Sequence, residues 1–284
     1  MNKLIISSLV LSGLLYANSS SVSYEYGAKD YKNSFSKVDG KVENINISHK
    51  ISNHMINFGY QGDNVIRKAN FPSLDVEKYS AKYIYKLNNK FNLKASYIKI
   101  IDNLAPTDQG KVYGFGVDYK FSKGYGAKAD FYRSDYEPFN VNQYDLAIYK
   151  GFKADALKGK ITFGTKIIKI DGDTYNPASP APQQYNFYDK SYNTTFAKLG
   201  LNYNGYVAGV GAFFGKRAFT VLDGGVKVQH HAMEQDKTYM LSFGKKFKEF
   251  DIVAKYSFQN GKELPENRDD VDSKVMALSL TYKF

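Results

Sequence analysis

The sequence predicts an all-β chain, a transmembrane antiparallel up-and-down barrel of about fourteen strands. Three observations predict it. Apolar and aromatic residues recur at every second position in one segment after another, with no convincing helical period. The connections between these segments alternate short and long. Beyond an N-terminal export segment, no apolar run approaches the roughly 20 residues that a membrane-spanning helix needs.

The export segment comes first. Lys3 supplies a positive charge, and Leu4–Leu15 is an apolar stretch too short for a spanning helix. Small Ala17, followed by Asn18-Ser19-Ser20-Ser21, places cleavage after Ala17. The chain then divides into a signal peptide, 1–17, and one barrel domain, 18–284. Cysteine is absent, which excludes a lipid-anchoring cysteine, disulfides, thiolate metal sites and a thiol nucleophile. The 25 Tyr, 20 Phe and 23 Gly, against 7 Pro and no Trp, suit strands and the aromatic girdles of membrane interfaces. A mean hydropathy of -0.46 does not oppose this, because each barrel strand carries one polar face. The net charge of +11 would ordinarily suggest nucleic acid. An exported chain does not meet it, so the charge is sought on a surface that function uses.

The elements follow in order. Tyr24, Tyr26 and Ala28 mark the first strand, Ile45 and Ile47 the second, and Ile56, Phe58 and Tyr60 the third. Tyr79, Ala81, Tyr83, Tyr85 and Leu87 mark a strong fourth. Phe91, Leu93, Ala95 and Tyr97 mark the fifth, and Tyr113, Phe115, Val117, Tyr119 and Phe121 the sixth. Tyr125, Ala127, Ala129 and Phe131 are followed by Tyr144, Leu146 and Ile148, then by Ile161, Phe163, Thr165 and Ile167. The tenth has Ala197, Leu199, Leu201 and Tyr203, and the eleventh Tyr206, Ala208, Val210, Ala212 and Phe214. Tyr239, Leu241 and Phe243 precede Ile252, Ala254, Tyr256 and Phe258. Met276, Leu278, Leu280, Tyr282 and Phe284 close the chain. The second, third and eighth rest on the shortest patterns. Losing a pair leaves about twelve strands, and about sixteen is the other even neighbour.

Short turns are read at Ser52-Asn53-His54, Asn88-Asn89-Lys90, Ser122-Lys123-Gly124, Lys153–Lys158, Asn204-Gly205 and Lys248-Glu249. Asn-Gly marks a tight hairpin because both residues tolerate positive φ. Long connections are expected over Asp30–Lys41, Gly62–Leu74, Ile101–Lys111, Ser134–Gln143, Asp171–Asn193, Lys216–Lys237 and Gln259–Ser273, all at the opposite end.

The last strand, Leu278-Ser279-Leu280-Thr281-Tyr282-Lys283-Phe284, resembles the terminal signature of Gram-negative outer-membrane barrels. Phe284, Tyr282, Leu280 and Leu278 match it position by position. The whole resembles a porin or porin-like channel. The resemblance implies recognition by the barrel assembly machinery, contact with outer-membrane lipid and lipopolysaccharide, and residence in a Gram-negative outer membrane. Short turns and both termini would then face the periplasm.

If these apolar residues face lipid, their neighbours face the lumen. Lys78, Lys82 and Lys86 share one such face. Lys94, Lys120, Lys128, Lys160, Lys166, Lys198, Lys246 and Lys255 join them, against Glu25, Asp118, Asp130 and Asp145. Other inward positions, such as Gly114, Gly116, Gly164, Gly209 and Gly211, leave room for water. The expectation is passive diffusion of small hydrophilic solutes, anionic or neutral, since lysines lining a low-dielectric tube concentrate anions. The bland reading is that these lysines pair with acids.

Asp171–Asn193, with Pro177, Pro180 and Pro182 among tyrosines, is an exposed loop or an inward constriction. Asp171-Gly172-Asp173 is too short for a calcium loop. Glu266-Asn267-Arg268-Asp269-Asp270-Val271-Asp272 reads as a solvated acidic loop. His230-His231, adjacent on an extended chain, point apart and do not suggest a metal site. No cofactor and no enzymatic activity is expected. The alternatives are a non-channel structural or adhesive barrel and an outer-membrane hydrolase, for which only the His230-His231 pair is suitably placed.

Overall fold

The computed structural model describes residues 19–69, 71–103, 106–122, 124–137, 139–172, 189–231, 233–264 and 266–284. The expected signal peptide and its cleavage site lie outside the described residues, as does the middle of Asp171–Asn193.

Fourteen long strands form the wall. They are β1 (Ser19–Lys32), β2 (Lys37–Ile51), β3 (His54–Arg67), β4 (Leu74–Lys86), β5 (Phe91–Asp102), β6 (Lys111–Ser122) and β7 (Tyr125–Asp135). β8 (Phe139–Ala154), β9 (Leu157–Gly172), β10 (Ser191–Tyr203) and β11 (Tyr206–Arg217) follow, then β14 (Met233–Lys246), β15 (Phe250–Glu263) and β16 (Arg268–Lys283). Between β11 and β14, a small hairpin of β12 (Val221–Leu222) and β13 (Lys227–Val228) stands apart from the wall. Each wall strand pairs antiparallel with its neighbours, and β1 pairs with β16 to close the barrel.

Closure has the register that the terminal strand implies: Tyr24 opposes Leu280, Tyr26 opposes Leu278 and Ala28 opposes Met276. The last residue is tied in as well. Ser20 N–H donates to the Phe284 carbonyl at 2.8 Å, and Phe284 N–H donates back at 3.0 Å. The outward stripe of β16 runs from 50 % exposed at Leu280 to 63 % at Met276. The inward neighbour Ser279 is buried.

The strands are longer than apolar alternation alone indicated. The expected loop Asp30–Lys41 reduces to residues 33–36, Ser134–Gln143 to 136–138, and Gln259–Ser273 to 264–267. His54 opens β3 rather than lying in a turn, and bonds Tyr83 Oη at 2.6 Å. Asp269, Asp270 and Asp272 belong to β16, not to a loop. The reason is physical. Ladder hydrogen bonds join backbones and are indifferent to side-chain polarity. On β2 the outward Ile45 and Ile47 give way to exposed Glu43, Lys41 and Asp39, so the pattern stops while the strand continues. A strand of 16 residues tilted near 45° rises about 37 Å, beyond an apolar band of about 25 Å.

Aromatic pairs bound that band. Tyr60–Tyr79 and Tyr97–Tyr113, each with ring centroids 5.4 Å apart, sit toward the long-loop end. Phe91–Tyr119 at 4.5 Å and Phe247–Phe250 at 4.3 Å sit toward the short turns. Such girdles place amphipathic rings at both membrane interfaces. The Asn204-Gly205 turn has positive φ at both residues, 48° and 85°, as a tight hairpin requires.

Leu278, between Ala254 and Tyr26 near mid-band, is a test of the facing. Leu278→Arg is expected to cost about 2–4 kcal/mol in denaturant titrations of the barrel refolded into lipid vesicles. Unchanged stability would mean that this face does not meet hydrocarbon.

Candidate functional site in the lumen

The lumen has two different walls. The sequence led to the expectation of a polar, lysine-rich interior throughout. On β4–β10, toward the long-loop end, it is instead apolar: Ile98, Ile100, Val112, Tyr132, Val141 and Ile168 are all buried. They are covered by Ala218, Phe219, Val221 and Val228, which belong to the segment linking β11 to β14. Burial of this kind contributes roughly 25 cal/mol per Å² of apolar surface removed from water. The signal was present. Ile98-Lys99-Ile100-Ile101 and Ile167-Ile168-Lys169-Ile170 are apolar on both parities, and a period-2 reading credits only one face.

That segment, within the expected loop Lys216–Lys237, crosses the barrel. It leaves the wall at buried Arg217, whose Nη2 donates to Gln235 Oε1 at 2.6 Å and to Thr238 Oγ1. It turns back at Gly224-Gly225, both with positive φ, 68° and 91°. Gly224 stands against the Lys82 ammonium, and a side chain on Gly225 would collide with Ser96 Oγ and Tyr132. Only glycine satisfies both the dihedral and the approach. From the β11–β14 seam to the β4–β5 pair there are seven strands on each side, β11-β10-β9-β8-β7-β6-β5 and β14-β15-β16-β1-β2-β3-β4. The loop therefore spans a full diameter.

Wall side chains satisfy its backbone. Gln143 Oε1 accepts from Val221 N–H at 2.8 Å, and Gln143 Nε2 donates to the Val221 carbonyl at 2.9 Å. Lys166 Nζ donates to the same carbonyl at 3.1 Å, and Lys78 Nζ to the Val228 carbonyl at 3.4 Å. Gln229 Nε2 donates to Gln235 and Gln259 at 3.0 and 3.2 Å. His230 Nε2 bonds Asp102 Oδ2 at 2.9 Å.

The lysines expected to line a pore take up several roles. Lys78 and Lys29 share Asp63, at 2.9 and 2.5 Å. Lys94 meets Asp118 at 2.7 Å and Asp130 at 2.6 Å, with Lys128 3.8 Å from Asp118. Lys166 pairs with Asp145, and Lys255 with Glu25. Lys82, Lys160 and Lys198 have no carboxylate in ion-pair range among the described residues. Lys160 lies 4.0 Å over the Tyr149 ring, and Lys198 lies near Phe213 and Phe196 at 5.3 and 5.7 Å. Lys86 and Lys246, the last residues of β4 and β14, and Lys120 are exposed at the short-turn rim. Lys78, Lys82 and Lys86 thus share a face but form no ladder: the first is held by Asp63, the last is at the rim.

Beside the loop a cavity of about 690 Å³ remains, bounded by β1–β4, β9–β11 and β14–β16. Its lining runs from Lys160, near the start of β9, to Tyr31, near the end of β1. Six lysines line it (Lys29, Lys78, Lys160, Lys198, Lys227 and Lys255) against three carboxylates, Glu25, Asp63 and Asp223. Lys29, Asp63, Asp223 and Lys227 had no sequence signal, because each lay in or beside an expected loop. On the loop, burial raises the Asp223 carboxyl, but Lys227, Lys198 and Lys255 outweigh it and hold it below the usual aspartate range. Burial, with help from Lys78, holds the His230 imidazole well below the usual histidine range; burial and His230 do the same to His231.

No family model matches the chain, and no curated protein does. Solved structures do. The chain is similar to CymD, a monoaromatic hydrocarbon channel, at 9 % identity over 95 % of this chain and 89 % of that one, TM-score 0.54. It is similar to the toluene transporter TbuX of Ralstonia pickettii at 10 % identity over 94 % and 89 %, TM-score 0.53. A bacterial polysaccharide outer-membrane secretin matches at 9 % identity over 93 % and 98 %, TM-score 0.54. The shared property is the fold, an outer-membrane β-barrel.

Asp63→Ala would leave Lys29 and Lys78 facing one another without a counter-charge. A loss of about 3–5 kcal/mol is expected, read as a lower denaturant midpoint of the refolded barrel. An unchanged midpoint would show that this triad carries no structural load.

Proposed function

We propose that the chain is a porin-like channel of a Gram-negative outer membrane, admitting small hydrophilic solutes by passive diffusion and favouring anions. The observation that carries this reading is the elongated cavity beside the loop, with six lysines to three carboxylates. Excess positive charge in a low-dielectric tube raises the local anion concentration, and lysine rings select anions in pores. Lys160 and Lys198, which line the cavity and pair with no acid among the described residues, supply most of the selectivity, since paired lysines present little net field. Both termini and the short turns face the periplasm. The Leu278–Phe284 strand serves as the assembly signal, and charged outer faces such as Asp39, Lys41 and Glu43 meet lipopolysaccharide.

One observation favours a second reading, a structural or adhesive barrel with a closed lumen: the packing of Phe219, Val221 and Val228 against the β4–β10 wall. The hydrolase alternative has no such support. His230 bonds Asp102 through one nitrogen, and its other, Nδ1, has no hydrogen-bond partner among the described residues.

Planar-bilayer recording of the refolded protein tests the proposal. Stable open steps with an anion-biased reversal potential are expected. Deleting 219–229 should raise the step conductance roughly twofold or more, since a barrel of this size is otherwise wide enough for water. Lys160→Glu with Lys198→Glu should move the reversal potential toward cations. Silence of both the intact and the loop-deleted barrel, folded by heat-modifiability, would sink the channel in favour of the structural reading.

A further inference from the structure

The loop carries a cluster that permeation does not require. Asp102, the last residue of β5, meets His230 and His231 on the returning limb of the loop, and donor atoms from the three lie within 4.8 Å of one another. Far from pointing apart, the two imidazoles pack with ring centroids 4.4 Å apart. The segment is not extended there, so the alternation that separates neighbours on a strand does not apply.

We propose that Asp102, His230 and His231 bind a divalent transition-metal ion of the Zn²⁺ type and fasten the loop to the wall through it. One carboxylate oxygen and two imidazole nitrogens are a donor set suited to such an ion, with a fourth position left to water. The spacing is close to what coordination needs. Two ligand atoms each about 2.0 Å from a tetrahedral ion stand about 3.3 Å apart, and Asp102 Oδ2 to His230 Nε2 is 2.9 Å. Asp102 is already oriented: Thr107 Oγ1 donates to its Oδ2 at 2.7 Å. A hydrogen bond to a ligating carboxylate of this kind holds it for the metal.

An independent observation points the same way. Among the described residues, buried His231 Nε2 has no hydrogen-bond partner, and neither has Nδ1 of His230, itself 2 % exposed. A bare buried nitrogen such as His231 Nε2 costs free energy unless a ligand engages it. Binding requires no net chemistry. The proton on His230 Nε2 moves to the free Nδ1, Nε2 turns its lone pair to the ion, and the hydrogen bond to Asp102 gives way to two coordinate bonds. Both histidines line the 690 Å³ cavity, which supplies the entry path. The binding itself stands on these three residues; any effect on conductance rests on the channel reading.

The test uses the full-length refolded barrel, with Zn²⁺ by calorimetry and Co²⁺ as a coloured probe. One equivalent per chain is expected, with the intense visible bands of four-coordinate Co²⁺. His230→Ala and His231→Gln should each weaken binding more than about 100-fold, and Thr107→Val about 10–100-fold. If His230→Ala does not give the heat-modifiable folded form, His231→Gln and Thr107→Val carry the comparison. Absence of binding, or binding kept by these variants and lost in His49→Ala or His54→Ala, overturns the proposal. A barrel that never conducts yet binds Zn²⁺ through these residues overturns the channel reading alone. One that conducts but binds no Zn²⁺ overturns this proposal alone.

Discussion

The closing ladder between β1 and β16 is the constraint on which everything else depends. In hydrocarbon no water is at hand to satisfy a strand edge, so a sheet crosses a membrane only when it has no edge. Here the seam is made by the first and last described strands, down to the reciprocal pair between Ser20 and Phe284. Once it is closed, the pleat assigns every side chain to lipid or lumen. A slip of one residue would exchange Met276, Leu278 and Leu280 with Ala277, Ser279 and Thr281.

Closure also creates a second buried space. A tube of fourteen strands is too wide for wall side chains alone to fill, and this chain fills part of it with its own loop. The loop is held by apolar packing against β4–β10 and by wall amides and ammonium groups that take up its backbone bonds. The division is economical in chemistry. The apolar side excludes water, and the polar side, where lysines outnumber acids, keeps it.

The charges divide similarly. Asp63, Asp118, Asp130, Asp145 and Glu25 each hold a lysine, and such pairs are maintained because removing one partner strands the other. Lysines without an acid are the ones that can present a field to solutes. Pairing depends on which strands are neighbours, so the lysine count alone never separated the two groups.

The sequence by itself determined the strand number, the parity of every strong strand and the closure partner of the last strand. Each follows from a period-2 pattern, which survives in any register that keeps apolar residues in lipid. Three things were decided only by tertiary structure. Strands run past the band because backbone pairing outlasts the apolar pattern, as at Asp39, Lys41 and Glu43. The segment 218–231 turns inward because its apolar residues find Ile98, Val112, Val141 and Ile168 on strands distant in sequence. Asp102 meets His230 and His231 because that crossing brings a strand end against a loop 128 residues away. Local alternation records which face a residue takes; it holds no record of what arrives across the lumen to meet it.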